Sequence, residues 1–356
     1  MVPHSAGRKI GGYEIMMILI VFVLFILLFI LPFLPGITEL VRKEDAEPLY
    51  IAMNYIKDPR YFGKSFKELL HRATDGFTAA PGTRDVQLSK KESLEITGSM
   101  DVLNAEKIDH LLCVQGNFVS CGNAQFNKEV YVTGNASVGP NNIIQVLAAN
   151  GNVTIGADVQ LNRWLDADGN IDIGAHCNLG ISASSGRKLR LGQDCLFRRL
   201  YGVPITTGDN RIIAMNHFKP SLPPTEPVPP ELSFVRIKDH TVPPGTIMDK
   251  NVVFPQDAQI GYGSIFTGNI KSYGKLVLED NVTIDGNLFA DGDITIGRGA
   301  KISGHVFSQK NVYISGGTVV SCPDTIKSVI GKKSVRIEEN VTIYGYVTTE
   351  GEGVVV

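Results

Sequence analysis

The stretch that decides the fold is residues 276–306, LVLEDNVTIDGNLFADGDITIGRGAKISGHV. Leu278 recurs 18 residues later as Ile296, and Ile284 recurs 18 residues later as Ile302. Polar residues separate most of the apolar ones, so apolar and polar positions alternate within each short run. This alternation is typical of short β-strands with one buried face, and the fixed period predicts a repeat architecture.

The same period extends over most of the chain in two series. The first series has spacings of 18, 18, 23, 18 and 18 between its centres, which are Ile96, Val114, Val132, Ile155, Ile173 and Leu191. The second has spacings of 18, 18, 18 and 23 between Ile260, Leu278, Ile296, Ile314 and Ile337. The residue two positions before each centre is always apolar. We interpret each 23-residue spacing as a coil with a short loop at one corner, and place a further coil at Val235 and Ile237.

Each repeat of 18 residues has room for three short strands and three corners, which together form one triangular coil. Asp168-Gly169 and Asp291-Gly292 occupy the same position in their repeats, where glycine would supply the positive φ of a sharp corner. Stacked coils would lie about 4.8 Å apart and form parallel sheets with ladders of Val, Ile and Leu inside. We therefore predict an all-β fold, a parallel β-helix.

An apolar segment of a different kind precedes the repeats. Residues 15–34 contain no charged side chain, and at about 1.5 Å per residue a helix of this length spans roughly the 30 Å of a bilayer's hydrocarbon core. No small-residue cleavage pattern follows at residues 32–36, which favours a retained transmembrane helix over a signal peptide. Lys and Arg are balanced on the two sides, and the free amino terminus slightly favours an external β-helix.

A helical pattern runs from about Glu44 to Arg72, broken at Asp58-Pro59, with Phe66, Leu69 and Leu70 on one face. The proline-rich residues 219–230 cannot form a central strand, because proline lacks the N–H. The predicted organisation is an N-terminal tail (1–14), a transmembrane helix (15–34), a helical stalk (35–85), a first β-helix series (86–200), an irregular proline-rich excursion (201–234), a second β-helix series (235–348) and a C-terminal tail (349–356).

The second series resembles the bactofilins, bacterial polymer-forming cytoskeletal proteins that repeat V-x-I-x-G and I-x-G-x-V/L text around their coils. The likeness is clearest over 258–320 and looser over 94–200. It implies a compact, right-handed β-helix that polymerises end to end without nucleotide. The length of this chain and its transmembrane segment set it apart from typical members of that family.

Two histidines are candidates for a catalytic base, because left-handed β-helix acyltransferases also use 18-residue coils and need one. His176 and His305 lie at outward positions of distant coils, which is more typical of surface histidines. The third hexapeptide of several coils begins with Ala or Ser instead of the Leu, Ile or Val of that enzyme family. These features weigh against the acyltransferase interpretation.

Acidic residues cluster at Asp166, Asp168 and Asp172, where they would serve either as carboxylates on one face or, more simply, as turn formers. Cys177 and Cys195 lie 18 residues apart and are predicted to stack inward, with a disulfide as the alternative. The sequence predicts no catalytic, cofactor-binding or metal-binding residue and no cofactor. We expect no enzyme.

The formal net charge of −2 indicates no strongly basic surface, so nucleic acid is not an expected partner. The last coil of a β-helix exposes unpaired backbone groups, and the repeat continues almost to the C-terminus, which predicts either end-to-end pairing there or a tail that folds back as a small cap. We therefore expect a single-pass membrane scaffold that self-assembles through its β-helix and contacts the bilayer through residues 15–34. The alternative is an envelope protein that binds or modifies polysaccharide, and envelope proteins are further candidate partners.

Overall fold

The structure, a computed structural model, describes residues 12–34, 58–73, 84–89, 92–208 and 234–356. The chain forms two compact units, residues 1–45 and 46–356. In the first unit, helix α1 (Gly12–Ile30) continues into a short 3-10 helix (Leu31–Phe33). The window Met16–Phe33 has a mean hydropathy of 3.3 and is not buried in protein, so it is long and apolar enough to cross a membrane.

The second unit is a β-solenoid of about 13 coils, which confirms the predicted parallel β-helix. It contains helix α2 (Tyr61–Ala73) and a first solenoid, residues 92–208, preceded by one extra strand. The strands of this part are β1 (Arg84–Ser89), β2 (Glu92–Thr97), β3 (Met100–Val102), β4 (Lys107–Ile108), β5 (Leu111–Val114), β6 (Phe118–Ser120), β7 (Gln125–Val132), β8 (Ala136–Val138), β9 (Ile143–Ala149), β10 (Val153–Ile155), β11 (Gln160–Ala167), β12 (Ile171–Ile173), β13 (Ser182–Ser185), β14 (Leu189–Leu191) and β15 (Leu196–Thr207).

A second solenoid, residues 234–356, follows the proline-rich segment, which lies outside the described residues. Its strands are β16 (Phe234–Arg236), β17 (Thr241–Val242), β18 (Ile247–Met248), β19 (Asn251–Phe254), β20 (Ala258–Ile260), β21 (Ile265–Phe266), β22 (Ile270–Ser272), β23 (Leu276–Leu278), β24 (Thr283–Ile284), β25 (Leu288–Ala290), β26 (Ile294–Ile296), β27 (Lys301–Ile302), β28 (Val306–Ser308), β29 (Asn311–Ile314), β30 (Val319–Val320), β31 (Lys327–Gly331), β32 (Ser334–Ile337) and β33 (Thr342–Val355).

Strands in equivalent positions of successive coils pair in parallel and build three sheets around one core. In the second solenoid, for example, β20, β23, β26 and β29 form one continuous ladder. Its central strands read buried–half-buried–buried, as the alternation of apolar and polar residues predicts. Equivalent apolar side chains of successive coils thus stack on one another inside the tube, and the coils share the same cross-section.

Asparagine ladders hold the coils in register at one corner. The Oδ1 atom of Asn251 accepts a hydrogen bond from the N–H of Asn269 (2.8 Å), and Asn269 and Asn287 repeat this bond to the next coil (3.0 and 2.7 Å). The same ladder in the first solenoid uses Asn117, Asn135, Asn152 and Asn170. Each of these side chains accepts a hydrogen bond from a backbone N–H group at a corner between strands. Without it, that N–H group would have no partner.

A second row of corners requires the left-handed backbone conformation. Asn123, Asn141, Asp158, His176 and Asp194 all have φ between 55° and 60° there. Asn and Asp tolerate this conformation better than most side chains. The predicted glycine corners at Gly169 and Gly292 are different, because they are not among the residues with positive φ. A Cβ at Gly169 would lie 2.6 Å from the carbonyl oxygen of Gly151, so close packing between coils requires that glycine.

The register of the first series differs from the prediction between Val132 and Ile155. Ile155 pairs with Val138, not with the coil position of Val132, so the predicted 23-residue coil between Val132 and Ile155 is wrong. Val132 pairs with Ala149 in the neighbouring sheet. All three strands of a coil show the same alternation of apolar and polar residues. Spacing alone therefore aligned Val132 with Ile155, although they belong to different sheets.

The second series shows one such error and one correct loop. Ile260 pairs with Val242, whereas Ile237 was expected to be its partner; the coil predicted there exists with a different register. Ile314 does pair with Ile337, 23 residues later, so the loop in that coil is confirmed.

The two solenoids meet at their C-terminal ends. Strand β15 of the first pairs antiparallel with β33 of the second, for example at Leu200–Val347 and Tyr201–Tyr346. This junction overturns the prediction that the C-terminal coil is free for end-to-end pairing. The predicted tail, residues 349–356, belongs largely to β33, and β15 continues beyond the predicted end of the first series at residue 200. The C-terminal coils of the two solenoids therefore pair with each other within one chain.

Close packing at the junction generates a testable prediction. A Cβ added to Gly353 would lie 2.2 Å from the Phe197 ring, whereas a Cβ at Gly98 would meet nothing within 4 Å. We expect Gly353→Ala to destabilise the protein by about 1–3 kcal/mol through overpacking. Gly98→Ala is the matched control and should leave stability nearly unchanged. Thermal unfolding of the full chain in detergent, followed by circular dichroism, measures both; equal melting temperatures would contradict the packing at this junction.

Candidate functional site: solenoid ends and outer faces

The N-terminal coil of the second solenoid, residues 234–250, has a free face that we call the open end. In the part of the chain that the structure describes, β16, β17 and β18 each pair with only one strand, namely β19, β20 and β21. Ile247, on β18 of this coil, is 67% exposed. The open end thus combines unpaired strand edges with an exposed apolar side chain.

The N-terminal coil of the first solenoid is partly covered. Strand β1 pairs antiparallel with β2 and closes that edge. Strands β3 and β4 pair only with β6 and β7 among the described residues, and Leu103 beside them is 70% exposed. This end therefore presents two unpaired edges, and the open end presents three.

Helix α2 covers an outer face of the first solenoid. Phe62, Phe66 and Leu70 follow helical spacing and form one apolar stripe. The Phe62 ring stacks on Trp164 with centroids 4.1 Å apart, and Phe66 meets the edge of Tyr131 at 6.3 Å. Within the segment predicted as a stalk, residues 35–85, this helix packs against the solenoid. Leu69, predicted on the packing face, is 60% exposed.

The face under α2 explains a further register difference. Leu94, Ile96, Cys113, Tyr131 and Ala148 form a buried cluster with Leu70 outside the main core. Ile96 pairs with Cys113, so Leu94 and Ile96 belong to this outward row and not to the inward row predicted for them. An outward face covered by a helix is as apolar as an inward one, and sequence spacing does not distinguish the two.

Charged residues fasten the start of α2 to the same face. Arg60 donates to both carboxylate oxygens of Asp166 at 2.9 and 2.7 Å, and to Asp168 at 2.5 Å. Ser184 donates to Asp166 at 2.6 Å. Burial lowers the pKa of the Arg60 guanidinium, but its hydrogen bonds to Asp166 and Asp168 outweigh this effect and raise the pKa overall. We call this arrangement, Arg60 with Asp166 and Asp168, the helix clamp.

The acidic cluster is thus divided between two structural ion pairs. Asp166 and Asp168 bind Arg60, while Asp172 binds Arg190 in the next coil. The sequence predicts Asp166 and Asp168 most simply as turn formers. In the structure both bind Arg60, which lies more than a hundred residues away in sequence. Only the tertiary contact with α2 reveals this role.

The two candidate histidines do not come together. His176 occupies a left-handed corner, where its exposed ring lies 3.4 Å from Asp194. His305 is half-buried at the top of the second asparagine ladder, and its Nδ1 accepts a hydrogen bond from the N–H of Ser328 at 3.0 Å. Burial and the nearby Lys327 lower the pKa of His305. His305 therefore acts as a neutral ladder residue.

The predicted inward stacking of Cys177 and Cys195 is confirmed. Both are buried, and each thiol contacts a backbone carbonyl oxygen, of Gly156 or Gly174, at 3.1 Å. All five cysteines, Cys113, Cys121, Cys177, Cys195 and Cys322, are free thiols. Within the described ranges no group of three His, Cys, Asp or Glu side chains is placed to hold a metal ion.

Comparison of the chain with protein-family models, with curated proteins and with solved structures found no match. We therefore infer its function from the geometry of the solenoid itself.

The helix clamp yields a prediction about α2. Replacing Asp166 by Ala leaves Arg60 without its main partner in a partly buried position, which costs about 3 kcal/mol. We expect faster hydrogen–deuterium exchange throughout 61–73 in this variant. Asp172→Ala removes a comparable but exposed ion pair and is the control, expected to leave exchange in α2 unchanged. Equal exchange in both variants would show that the clamp does not hold the helix.

His305 predicts a specific acid sensitivity. Because its folded pKa is lowered from an unfolded value of about 6.5, the stability it contributes is present above that pH and is lost as the pH falls through the folded pKa. Protonation of Nδ1 would break the bond from Ser328. Asparagine would continue the ladder without titrating, so His305→Asn should reduce the fall in melting temperature between pH 7.5 and 5.

His176→Asn provides the control for that experiment, because Asn fills the same corner at Asn123 and Asn141 in two other coils of the first solenoid. It should keep the pH dependence of the unaltered protein. A His305→Asn variant with the same pH dependence as the parent would show that another group is responsible.

Proposed function

We propose that the protein is a membrane-anchored scaffold whose copies join end to end through their solenoids, without nucleotide. The observation that carries this proposal is the open end, where β17 and β18 are paired on one side only among the strands that the structure describes. Unpaired N–H and C=O groups in a row are a template for a further strand. A second copy of the same coil offers three strands of matching length and spacing.

The junction inside the chain supports this mode of pairing. There the terminal coils of the two solenoids pair antiparallel, with Ile205 opposite Ile343 and Leu200 opposite Val347. The same geometry between two open ends would be a two-fold symmetric contact, in which each copy contributes the same residues. The junction thus provides an intramolecular example of coil-end pairing.

A chain of molecules needs a second contact, and the N-terminal coil of the first solenoid supplies it. Among the described strands β3 and β4 are paired on one side only, and Leu103 is exposed, features similar to those of the open end. Because the C-terminal coils are paired with each other, both assembly ends in this proposal are N-terminal coils. Alternating contacts between like ends would extend a filament without polarity.

Helix α1 would attach each copy to the membrane, since its window Met16–Phe33 is long and apolar enough to cross a bilayer. A single-pass protein with an external β-helix remains our prediction for its location. The bactofilin resemblance agrees with nucleotide-free assembly. Assembly of this kind requires no side chain that acts as a catalytic acid or base.

Electron microscopy and sedimentation of residues 46–356, which form one compact unit, test the proposal. We expect filaments or ordered oligomers that grow with protein concentration in the absence of nucleotide. Ile247→Lys should weaken contacts at the open end, because a two-fold contact would bring the new lysines of two copies close together and like charges repel. Leu103→Lys should stop growth at dimers joined through the open end.

Val119→Lys is the matched control, because Val119 is also exposed but lies on β6, a strand paired on both sides. It should assemble like the parent. Uniform monomeric rods at every concentration would contradict end-to-end assembly, and assembly that survives Ile247→Lys would contradict the role of the open end.

A further inference from the structure

A cleft of 510 Å³ lies beside the junction, on the outside of the first solenoid. Three successive coils and strand β33 line it, and its polar wall consists of Gln160, Asn162, Asn178, Arg198 and Glu352. It lies on a face that neither α2 nor the assembly ends use. Its volume is within the range of pockets that bind small ligands.

The cleft exists because one position in the middle of these three coils is a glycine and has no side chain. The bridges from Gln160 to Asn178 and from Asn178 to Leu196 set the register, which places Gly180 between Asn162 and Arg198. Gly180 has a φ of +61° and a Cβ there would lie 2.7 Å from the Leu161 carbonyl oxygen. The coil therefore requires glycine at this position, and a notch opens between the two long side chains on either side.

The groups around the notch are arranged for hydrogen bonding. Gln160 donates to Asn162 at 3.1 Å, and Asn162 donates to Gln145 at 3.0 Å, so the amides hold one another in place. Each amide has four hydrogen-bonding positions and keeps several of them for a ligand. Neither Arg198 nor Glu352 forms an ion pair in the described part of the chain, and both are exposed. Half-buried Ile181 and Leu196 form the apolar part of the lining.

We propose that this cleft binds an oligosaccharide. Sugar hydroxyls both donate and accept hydrogen bonds, as amide side chains do, and the C–H faces of a sugar ring pack on aliphatic groups such as those of Ile181 and Leu196. Arg198 and Glu352 offset each other in charge, which does not favour a polyanion such as a nucleotide. The proposal does not depend on self-assembly.

A peptide ligand fits this cleft less well. Extended peptides bind by adding a strand to a free sheet edge. Here β11 pairs with β9 and β13, and β15 pairs with β13, β14 and β33, so the strands that line the cleft have partners on both sides. Recognition must use side chains, and most of these are uncharged amides.

Titration calorimetry of the full chain in a detergent without sugar headgroups tests the proposal. The polyanionic tetrasaccharide of galacturonic acid is a control, and the probes are the uncharged tetrasaccharides of N-acetylglucosamine and of glucose. We expect saturable binding of at least one of them. Arg198→Ala and Asn162→Ala should each weaken that binding roughly tenfold, the effect of losing one strong hydrogen bond.

Asn127→Ala is the control, because Asn127 lies in the same row of amides but outside the cleft, where it bonds to Asp109. It should bind the sugar like the parent. The exposed Arg198 makes no hydrogen bond that folding requires in the described structure, so its variant keeps the test valid if Asn162→Ala fails to fold. No binding of any probe at millimolar concentration, or binding unaffected by Arg198→Ala, would overturn the proposal.

Discussion

The antiparallel pairing of β15 with β33 determines what the rest of this structure can do. Every other contact between coils is parallel and local, except for the short β1–β2 hairpin. A β-helix leaves the backbone groups of its last coil unpaired. Without the junction, each of the two solenoids would have such an end. Pairing the two ends with each other satisfies those groups within one molecule and reverses the direction of the chain between the two solenoids.

This single constraint assigns different roles to different surfaces. The C-terminal coils are paired with each other at the junction, so the proposed assembly uses the N-terminal coils. The outer face above Tyr131 is occupied by α2, which the helix clamp fastens through Arg60. The cleft at Gly180 arises beside the junction, where Glu352 of β33 completes its wall. The proposed assembly, the attachment of α2 and the proposed ligand binding therefore involve separate parts of the molecule.

Sequence spacing predicted the parallel β-helix, the inward stacking of Cys177 and Cys195 and the long loop before Ile337, because all three follow from one local period. It did not assign Val132 and Ile155 to their correct sheets, since the three sheets of a coil share the same apolar alternation. It also missed the junction and the pairing of Arg60 with Asp166. Those contacts join residues more than a hundred positions apart, and no period connects them.

A disulfide across the junction tests the central claim most directly. Tyr201 and Tyr346 are paired residues of β15 and β33, with ring centroids 4.8 Å apart. The full chain would carry Tyr201→Cys and Tyr346→Cys, with Cys121 and Cys322, the two cysteines that are not buried, replaced by serine. Mild oxidation should give a disulfide within one chain, seen as a faster-migrating monomer in non-reducing electrophoresis. Disulfide-linked dimers, or no disulfide, would show that the two solenoids do not join at their C-terminal ends within one molecule.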